Sequence, residues 1–232
     1  MTKKSNQKVP KHLAIIMDGN RRWARKRKLP IPEGHRRGRK AFRDILKHCG
    51  DLGIKIVTVY VFSTENWKRS KEEVKGLIGL LEESILKEAD RLDRNNVNIR
   101  ILGDITAFSK KIQKKLLEVI KKTKDNKGLC LNLALNYGGR AEITNAINKL
   151  INKNKKPKIT EKDIEKGLYT FGEPDPDLLI RTGGVYRLSN FLLWQLSYTE
   201  LYFTNTLWPD FSPKELDKAI YEFGNRIRNF GK

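Results

Sequence analysis

The sequence predicts an α/β fold built on a mainly parallel sheet. Three observations carry this. Six short apolar runs, rich in β-branched residues, are spread along all 232 residues. Most are near-continuous rather than alternating, as expected of strands covered on both faces. Segments of helical period lie between them, and strand–helix alternation implies βαβ crossovers within one sheet. No internal repeat or convincing boundary appears. A flexible N-terminal segment, residues 1–11, is therefore expected to precede a single domain, residues 12–232, long enough to bury a sizeable core.

The predicted strands are Leu13–Met17, Ile56–Phe62, Val97–Leu102, Leu129–Leu135, Leu178–Arg181 and Leu201–Phe203. Between the first two, Glu33–Leu52 repeats Ala41, Phe42, Ile45, Leu46 and Cys49 on one helical face. Lys71–Leu92 does the same with Val74, Leu77, Ile78, Leu81, Ile85, Ala89 and Leu92. Leu80 and Leu86 fall off that stripe. This helix is then either covered on two sides or lines an apolar cavity with its second face. Phe108–Lys122, Arg140–Asn152, Glu161–Leu168, Asn190–Tyr198 and Pro213–Asn229 complete the helices, with Ser109, Thr160, Ser189 and Ser212 as caps.

Composition narrows the classes. The longest apolar runs are far shorter than a bilayer span. The N-terminus is polar and Lys-rich, without the apolar stretch of a secretory signal. Cys49 and Cys130 make neither a disulfide framework nor a zinc pattern, so reduced core thiols in a cytoplasmic protein are expected. Lys and Arg outnumber Asp and Glu 48 to 27, a net charge of +21. That surplus suits phosphorylated substrates, anionic lipid or nucleic acid. Most lysines are dispersed, however, as on solvated faces. The tract 152–158 reads as a loop.

Ligands of parallel α/β sheets bind beyond the carboxyl ends of the strands. Asp18-Gly19-Asn20-Arg21-Arg22-Trp23 follows the first strand, and Ser63-Thr64-Glu65-Asn66-Trp67-Lys68-Arg69 the second. Asn136-Tyr137-Gly138-Gly139-Arg140 follows the fourth, and Thr182-Gly183-Gly184 with Arg187, Ser189 and Asn190 the fifth; Glu200 adjoins the sixth. Glycines let backbone approach an anion, arginines fork onto phosphate oxygens, and one carboxylate can hold a magnesium ion bridging a diphosphate. Each piece alone has a plainer meaning. Asp-Gly and Gly-Gly are common turns, tryptophans are usually core, and a histidine such as His35 is more often structural. Their expected gathering on one rim favours a site for a diphosphate.

The segments HLAIIMDGNRRWA, GH at 34–35, FSTENW, NYGGR, DLLIRTGG, RLSNFLLWQ and ELYFTNTLWPDF together resemble the undecaprenyl diphosphate synthase family, the cis-prenyltransferases. The resemblance runs from His12 to Gly231 in the family's order. It implies a central six-stranded parallel sheet with flanking helices, a homodimer, and an apolar tunnel walled by Lys71–Leu92. It implies joining of isopentenyl diphosphate to an allylic prenyl diphosphate, farnesyl diphosphate being the usual starter. By resemblance, Asp18 works with Mg2+ on the allylic diphosphate, which Gly19, Asn20, Arg22 and His35 hold. Trp23 and Trp67 surround the substrates. Asn66 matches the assigned proton acceptor, with Ser63, Glu65 and Arg69 on the same substrate-binding turn. Arg181, Arg187 and Ser189 match the isopentenyl diphosphate pocket, and Glu200 the second magnesium carboxylate.

Four departures stand out. Arg21 replaces the family's usual Gly and adds a cation to the first phosphate loop. Leu29–Pro32 lacks the Arg often found before the His. Val185 replaces a Glu. The tail reads Asn229-Phe230-Gly231 where an Arg-x-Gly pattern is common, although Arg228 is adjacent. A phosphatase with an aspartate nucleophile is disfavoured because Asn20 stands where its second Asp would be. A nucleic-acid partner is not expected, since the basic clusters come with glycines and carboxylates and match no binding motif. A non-catalytic subunit of the same family would be surprising with Asp18, Asn66 and Glu200 all present. A trans-type enzyme would need an Asp-Asp-x-x-Asp helix. The basic surface suggests peripheral contact with anionic membranes.

Overall fold

The computed structural model describes residues 8–153 and 158–227. Along the chain run β1 (His12–Ile16), α1 (Asn20–Lys26), α2 (Ile31–Asp51), β2 (Ile56–Ser63), α3 (Lys71–Arg94), β3 (Asn98–Leu102), α4 (Lys110–Thr123), β4 (Cys130–Tyr137), α5 (Gly139–Lys153), α6 (Glu161–Gly167), β5 (Leu178–Arg181), β6 (Glu200–Phe203) and α7 (Pro213–Asn225). Short 3-10 turns stand at Thr64–Lys68, Ile105–Ala107 and Trp208–Asp210. The strands form one six-stranded sheet in the order β3-β4-β2-β1-β5-β6. The pairs β1–β5, β5–β6 and β3–β4 are parallel. The α/β expectation therefore holds, strand for strand.

Contacts gather the residues into two compact units. The first comprises Met1–Val57, Pro176–Tyr186 and Tyr198–Lys232. Its β1 and β5 are buried along their whole length, as their unbroken apolar sequences require. Register sets Leu13 against Leu178 and Ile16 against Arg181, then Leu178 against Glu200 and Arg181 against Phe203. Helix α2 starts with a proline in its first turn and buries Ala41, Ile45, Leu46 and Cys49. Helix α7 buries Leu216, Ala219, Ile220 and Phe223, one face at i, i+3, i+4 and i+7. Each buried Leu, Ile or Phe among them contributes about 1.5–3 kcal/mol.

The second unit comprises Thr58–Asp175 and Arg187–Ser197. Phe62, Leu81, Ile85, Phe108, Ile112, Leu116 and Leu135 form its buried cluster. Around it Val61, Leu77, Ile78, Ile101 and Leu133 are only partly buried. Ile101 and Leu133 face each other in the β3–β4 register. Mid-strand apolar side chains this open are unusual in a covered sheet. They leave apolar surface beneath α3, whose Leu77 and Ile78 look onto the same cluster. Ser109 caps α4, and Thr160 with Asp163 forms a capping box on α6.

The helix expected over Asn190–Tyr198 is not formed; the segment is a run of turns. Asn190 and Leu192 have φ of +64° and +43°, which no right-handed helix accommodates. Its apolar residues imitate helical spacing because Phe191, Leu192 and Leu196 are buried without a helix. Ser189 consequently has no helix to cap, and Ser212 precedes α7 without a side-chain capping bond. Helix α1 and the turn Thr64–Lys68 went unpredicted, both being too short and polar for periodicity to reveal. Residues 1–7 of the N-terminal segment, 154–157 of the basic tract, and Arg228 with Asn229-Phe230-Gly231 lie outside the described residues. Cys49 and Cys130 are free thiols, and burial pushes both up to about 12.

Candidate active site

In the first unit the chemistry gathers where β1 ends. Asp18 turns back on the strand, its N–H bonding to the Ile16 carbonyl at 3.0 Å and to Thr182 Oγ1 at 2.9 Å. The Thr182 hydroxyl donates in return to the Asp18 carbonyl at 2.7 Å, and Trp208 N–H donates to the same oxygen at 3.0 Å. Gly19 follows with φ +122°, against Leu207. A β-carbon there would be strained in conformation and 2.9 Å from Leu207 Cδ2.

The Asp18 carboxylate lies between two guanidiniums. Arg22 reaches one oxygen at 2.9 Å and Arg181 the other at 3.1 Å. Arg22 also donates to the Gly183 carbonyl. The Arg181 side chain is 5% exposed and that of Asp18 30%. The cluster carries one net positive charge, and both Asp18 and Arg22 reach solvent. Gly183 is needed here, since a β-carbon on it would be 2.5 Å from Arg22 Nη2.

Helices α1 and α2 meet across two glycines. A β-carbon on Gly34 would be 2.1 Å from the Asn20 carbonyl oxygen, and one on Gly38 2.1 Å from Asn20 Oδ1. The half-buried His35 follows Gly34 directly on α2, and half-buried Arg21 follows Asn20 on α1. Trp23 is largely buried. Its indole N–H donates to Asp210 at 2.7 Å, Arg27 pairs with the same carboxylate at 2.9 Å, and the Arg27 guanidinium lies 4.3 Å over the indole.

Glu200 stands apart from this cluster. It opens β6 opposite Leu178 and pairs with Arg226 at 2.8 Å, whereas Asp18 lies beyond Ile16, which is opposite Arg181. Three register steps alone span about 10 Å. Two carboxylates on one magnesium ion, each at about 2 Å, cannot be so far apart. The structure therefore does not bring Asp18 and Glu200 together in this unit, and among the described residues no group of three metal-ligating side chains occurs. A single carboxylate beside two arginines still fits magnesium that arrives with a diphosphate, because that ion usually takes one or two carboxylates and fills its shell with water and phosphate oxygens.

In the second unit β2 runs into the turn Thr64–Lys68. Ser63 and Asn66 cap each other there, and Asn66 Oδ1 accepts from Ser63 N–H at 3.0 Å. The Asn66 amide thus has its oxygen in use and its NH2 left to donate. Trp67 donates to Asn136 Oδ1 at 2.8 Å and packs edge-on to Phe62. Arg69 is exposed, its N–H bonded to the Asn66 carbonyl at 3.1 Å. Glu65 accepts from Asn190 Nδ2 at 2.7 Å. Burial works against the charge of Glu65, but hydrogen bonds from Asn190, its own N–H, Ser63 and Thr64 outweigh it and hold the carboxyl below its usual range. Arg187 and Ser189 are exposed on the neighbouring loop, where Ser189 has φ +52° and its carbonyl accepts from Tyr60 at 3.3 Å.

The sequence assigns no role to the residues that hold these groups: Thr182 behind Asp18, Asp210 behind Trp23, Asn136 behind Trp67, and Gly34 with Gly38. Thr182, Asn136 and Asp210 lie inside the recognised motifs, but nothing in a linear pattern says which atom each one bonds.

The family model described as "Putative undecaprenyl diphosphate synthase" matches residues 16–231. An isoprenyl transferase of Clostridium perfringens is 50% identical over 97% of this chain and 90% of its own. One of Fusobacterium nucleatum is 48% identical over 96% of both. Among solved structures, lavandulyl diphosphate synthase from Lavandula x intermedia, in complex with dimethylallyl diphosphate, superposes with a TM-score of 0.92 at 36% identity, covering 97% of this chain and 99% of that one. A probable undecaprenyl diphosphate synthase from Campylobacter jejuni gives 0.83 at 38% identity, covering 97% and 100%. With this fold and these matches, the chain belongs to the undecaprenyl diphosphate synthase family of prenyltransferases.

Proposed function

We propose that this prenyltransferase condenses isopentenyl diphosphate with an allylic diphosphate, farnesyl diphosphate foremost, giving a cis-polyprenyl diphosphate of undecaprenyl length for a cell-envelope carrier lipid. The observation that carries the proposal is the Asp18 carboxylate held between Arg22 and Arg181 past the end of β1. The dimethylallyl diphosphate in the lavandulyl diphosphate synthase structure supports an allylic substrate.

The reaction breaks the allylic C–O bond, forms a C–C bond to isopentenyl diphosphate and releases the allylic diphosphate, while one proton beside the new bond passes to that departing diphosphate or to water. Asp18 would hold Mg2+, which when bound neutralises diphosphate charge. Gly19, Asn20, Arg21, Arg22 and His35 would take the allylic diphosphate, and the arginines would stabilise the leaving charge. Arg181, Arg187 and Ser189 would take isopentenyl diphosphate, with Ser63 and Arg69 assisting. Trp23 and Trp67 would give shape and dry walls. Asn66 is better placed to donate than to accept: with its oxygen bonded to Ser63 N–H, its free NH2 suits a phosphate oxygen or water. Glu200 enters as an ion-paired carboxylate away from Asp18, so the proposed magnesium site rests on Asp18 and substrate oxygens. The half-buried Val61, Ile101 and Leu133 would line the path of the growing chain, whereas Leu131 on the same strand as Leu133 is fully buried.

The proposal takes residues 12–232 as one catalytic domain, two copies as the working form and the cytoplasm as the compartment, with the basic surface touching anionic membranes. No helix among the described residues is long and apolar enough to cross a membrane. The test is incorporation of labelled isopentenyl diphosphate into butanol-extractable product, from farnesyl and dimethylallyl diphosphates, with and without magnesium. Magnesium-dependent product that disappears in Asp18→Ala is expected, and its length by chromatography selects the role. No product from either starter would overturn the proposal.

A further inference from the structure

We infer that Asn190 is a positioning residue, whose amide ties the turn bearing Asn66 to the turn at Gly138–Gly139 and so fixes the Arg187–Ser189 loop for isopentenyl diphosphate. The ligand named rests on the proposed function; the rest stands on the geometry of the second unit.

Asn190 spends three polar atoms on two other turns. Its Nδ2 donates to Glu65 at 2.7 Å, and its Oδ1 accepts from Arg140 N–H at 2.9 Å. Its carbonyl accepts from Gly139 N–H at 2.7 Å. The fit is close: a β-carbon on Gly138 would be 2.7 Å from Asn190 Nδ2 and 2.6 Å from Thr64 Oγ1. Gly138 is therefore a spacer that lets the amide pass between the two turns. Downstream the segment is anchored by Phe191 stacked on Tyr60 at 4.5 Å, and by Gln195 donating to Glu142 at 3.1 Å and to Thr170 at 3.0 Å. Asn190 is the point at which this anchored stretch passes to the exposed Ser189 and Arg187.

The backbone shows why a clamp is required. Ser189 and Asn190 are both left-handed, with φ of +52° and +64°. Asparagine tolerates that region and serine resists it. Ser189 is held there by its neighbours, and Asn190 provides the tie to both turns. Glu65, expected to bind substrate, is instead occupied by Asn190, Thr64 and Ser63. It steadies the turn on which Asn66 presents its NH2. One amide thus couples the two groups of donors expected to meet the isopentenyl diphosphate.

The test reverses the polarity of the clasp. Asn190→Asp keeps the acceptor for Arg140 and the tolerance for a left-handed backbone, but sets two carboxylates against each other. Glu65→Gln supplies an NH2 that can donate to the aspartate, so the double variant restores the bond in the opposite sense. Loss of a hydrogen bond to a charged group predicts that Asn190→Asp raises the KM for isopentenyl diphosphate about tenfold, with the KM for the allylic substrate unchanged. The double variant should return to within about threefold of the wild type, the non-additivity that marks direct coupling. Calorimetric titration with isopentenyl diphosphate and with inorganic pyrophosphate reads the same coupling without turnover. A purely structural role predicts lower thermal midpoints with neither KM altered, or a midpoint restored in the double variant without the KM; either result overturns the inference. A wild type that binds isopentenyl diphosphate but makes no product counts against the proposed reaction, and the titrations still decide the clasp. A wild type that binds neither probe overturns both.

Discussion

Magnesium-free binding of a diphosphate should become tighter, not weaker, when Asp18 is removed. The carboxylate holds Arg22 at 2.9 Å and Arg181 at 3.1 Å. A diphosphate arriving alone is drawn by two guanidiniums and repelled by the group between them. Two unit charges about 6 Å apart in water interact by ~0.7 kcal/mol, so a diphosphate of about three charges is repelled by ~2 kcal/mol. Physiological salt reduces this to about 1 kcal/mol. Asp18→Ala should therefore lower the Kd of inorganic pyrophosphate in EDTA about five- to thirtyfold. In magnesium the order should reverse, because the variant lacks the carboxylate that holds the ion beside the phosphates.

The same variant takes one carboxylate away from a guanidinium that is 5% exposed. Breaking a buried pair costs about 3–5 kcal/mol, and the 30% exposure of Asp18 places this case below that range. The thermal midpoint should fall, and pyrophosphate should raise it more in the variant than in the wild type, since binding to the native state alone is stabilising. Calorimetric titration in EDTA and in magnesium, with thermal melts alongside, measures both effects. If Asp18→Ala bound pyrophosphate more weakly than wild type in EDTA, the carboxylate would be organising the arginines for the anion rather than competing for them, and the reasoning would fail.

Two further predictions concern the supports of the site. Thr182→Val removes both hydroxyl bonds to the Asp18 backbone, yet Asp18 N–H keeps Ile16 and its carbonyl keeps Trp208. The loss should then be about 1 kcal/mol per bond without a further penalty for orphaned groups, ~2 kcal/mol together. For a chain of this size that lowers the melting midpoint by about 4–8 °C. Turnover should fall as Asp18 loosens, and an unchanged midpoint with unchanged kcat would remove Thr182 from the account. The second prediction concerns acid. The Glu65 carboxyl is held below its ordinary value of 4.5, so its stabilisation is complete above that pH and fades as pH drops through the folded value. Melting midpoints of the wild type should decline more steeply in acid than those of Glu65→Gln; parallel curves would show that the hydrogen bonds to Glu65 contribute nothing to folding.

The strands were legible because burial on both faces leaves no room for polar residues, and a short unbroken run such as Leu178–Ile180 between turn residues suits little besides a doubly covered strand. The same logic misled at Asn190–Tyr198. Burial there is supplied by a chain of turns, and apolar content alone does not separate a packed turn from a packed helix. Register was illegible too. Glu200 lies in a motif as recognisable as that of Asp18, but pairing with Leu178 puts it at the far end of β5 from the carboxylate it was expected to join.

A deeper limit concerns the polar residues after each strand. Asp18 and Thr182, or Asn66 and Asn190, look equivalent in sequence: each is a small polar group in the polar stretch that follows a strand. The structure divides them by which atoms are already bonded. Thr182 turns its hydroxyl inward on the Asp18 peptide, and Asn190 commits both ends of its amide to other turns. Asp18 keeps a carboxylate within reach of solvent, and Asn66 keeps an NH2. The first pair holds the site and the second presents it. Substituting a holder should therefore disturb substrate affinity through geometry and be open to rescue by a compensating bond. Substituting a presenter removes a contact that no second change within the turn restores. The distinction depends on free hydrogen-bonding capacity, which arises only once the turns have closed on one another.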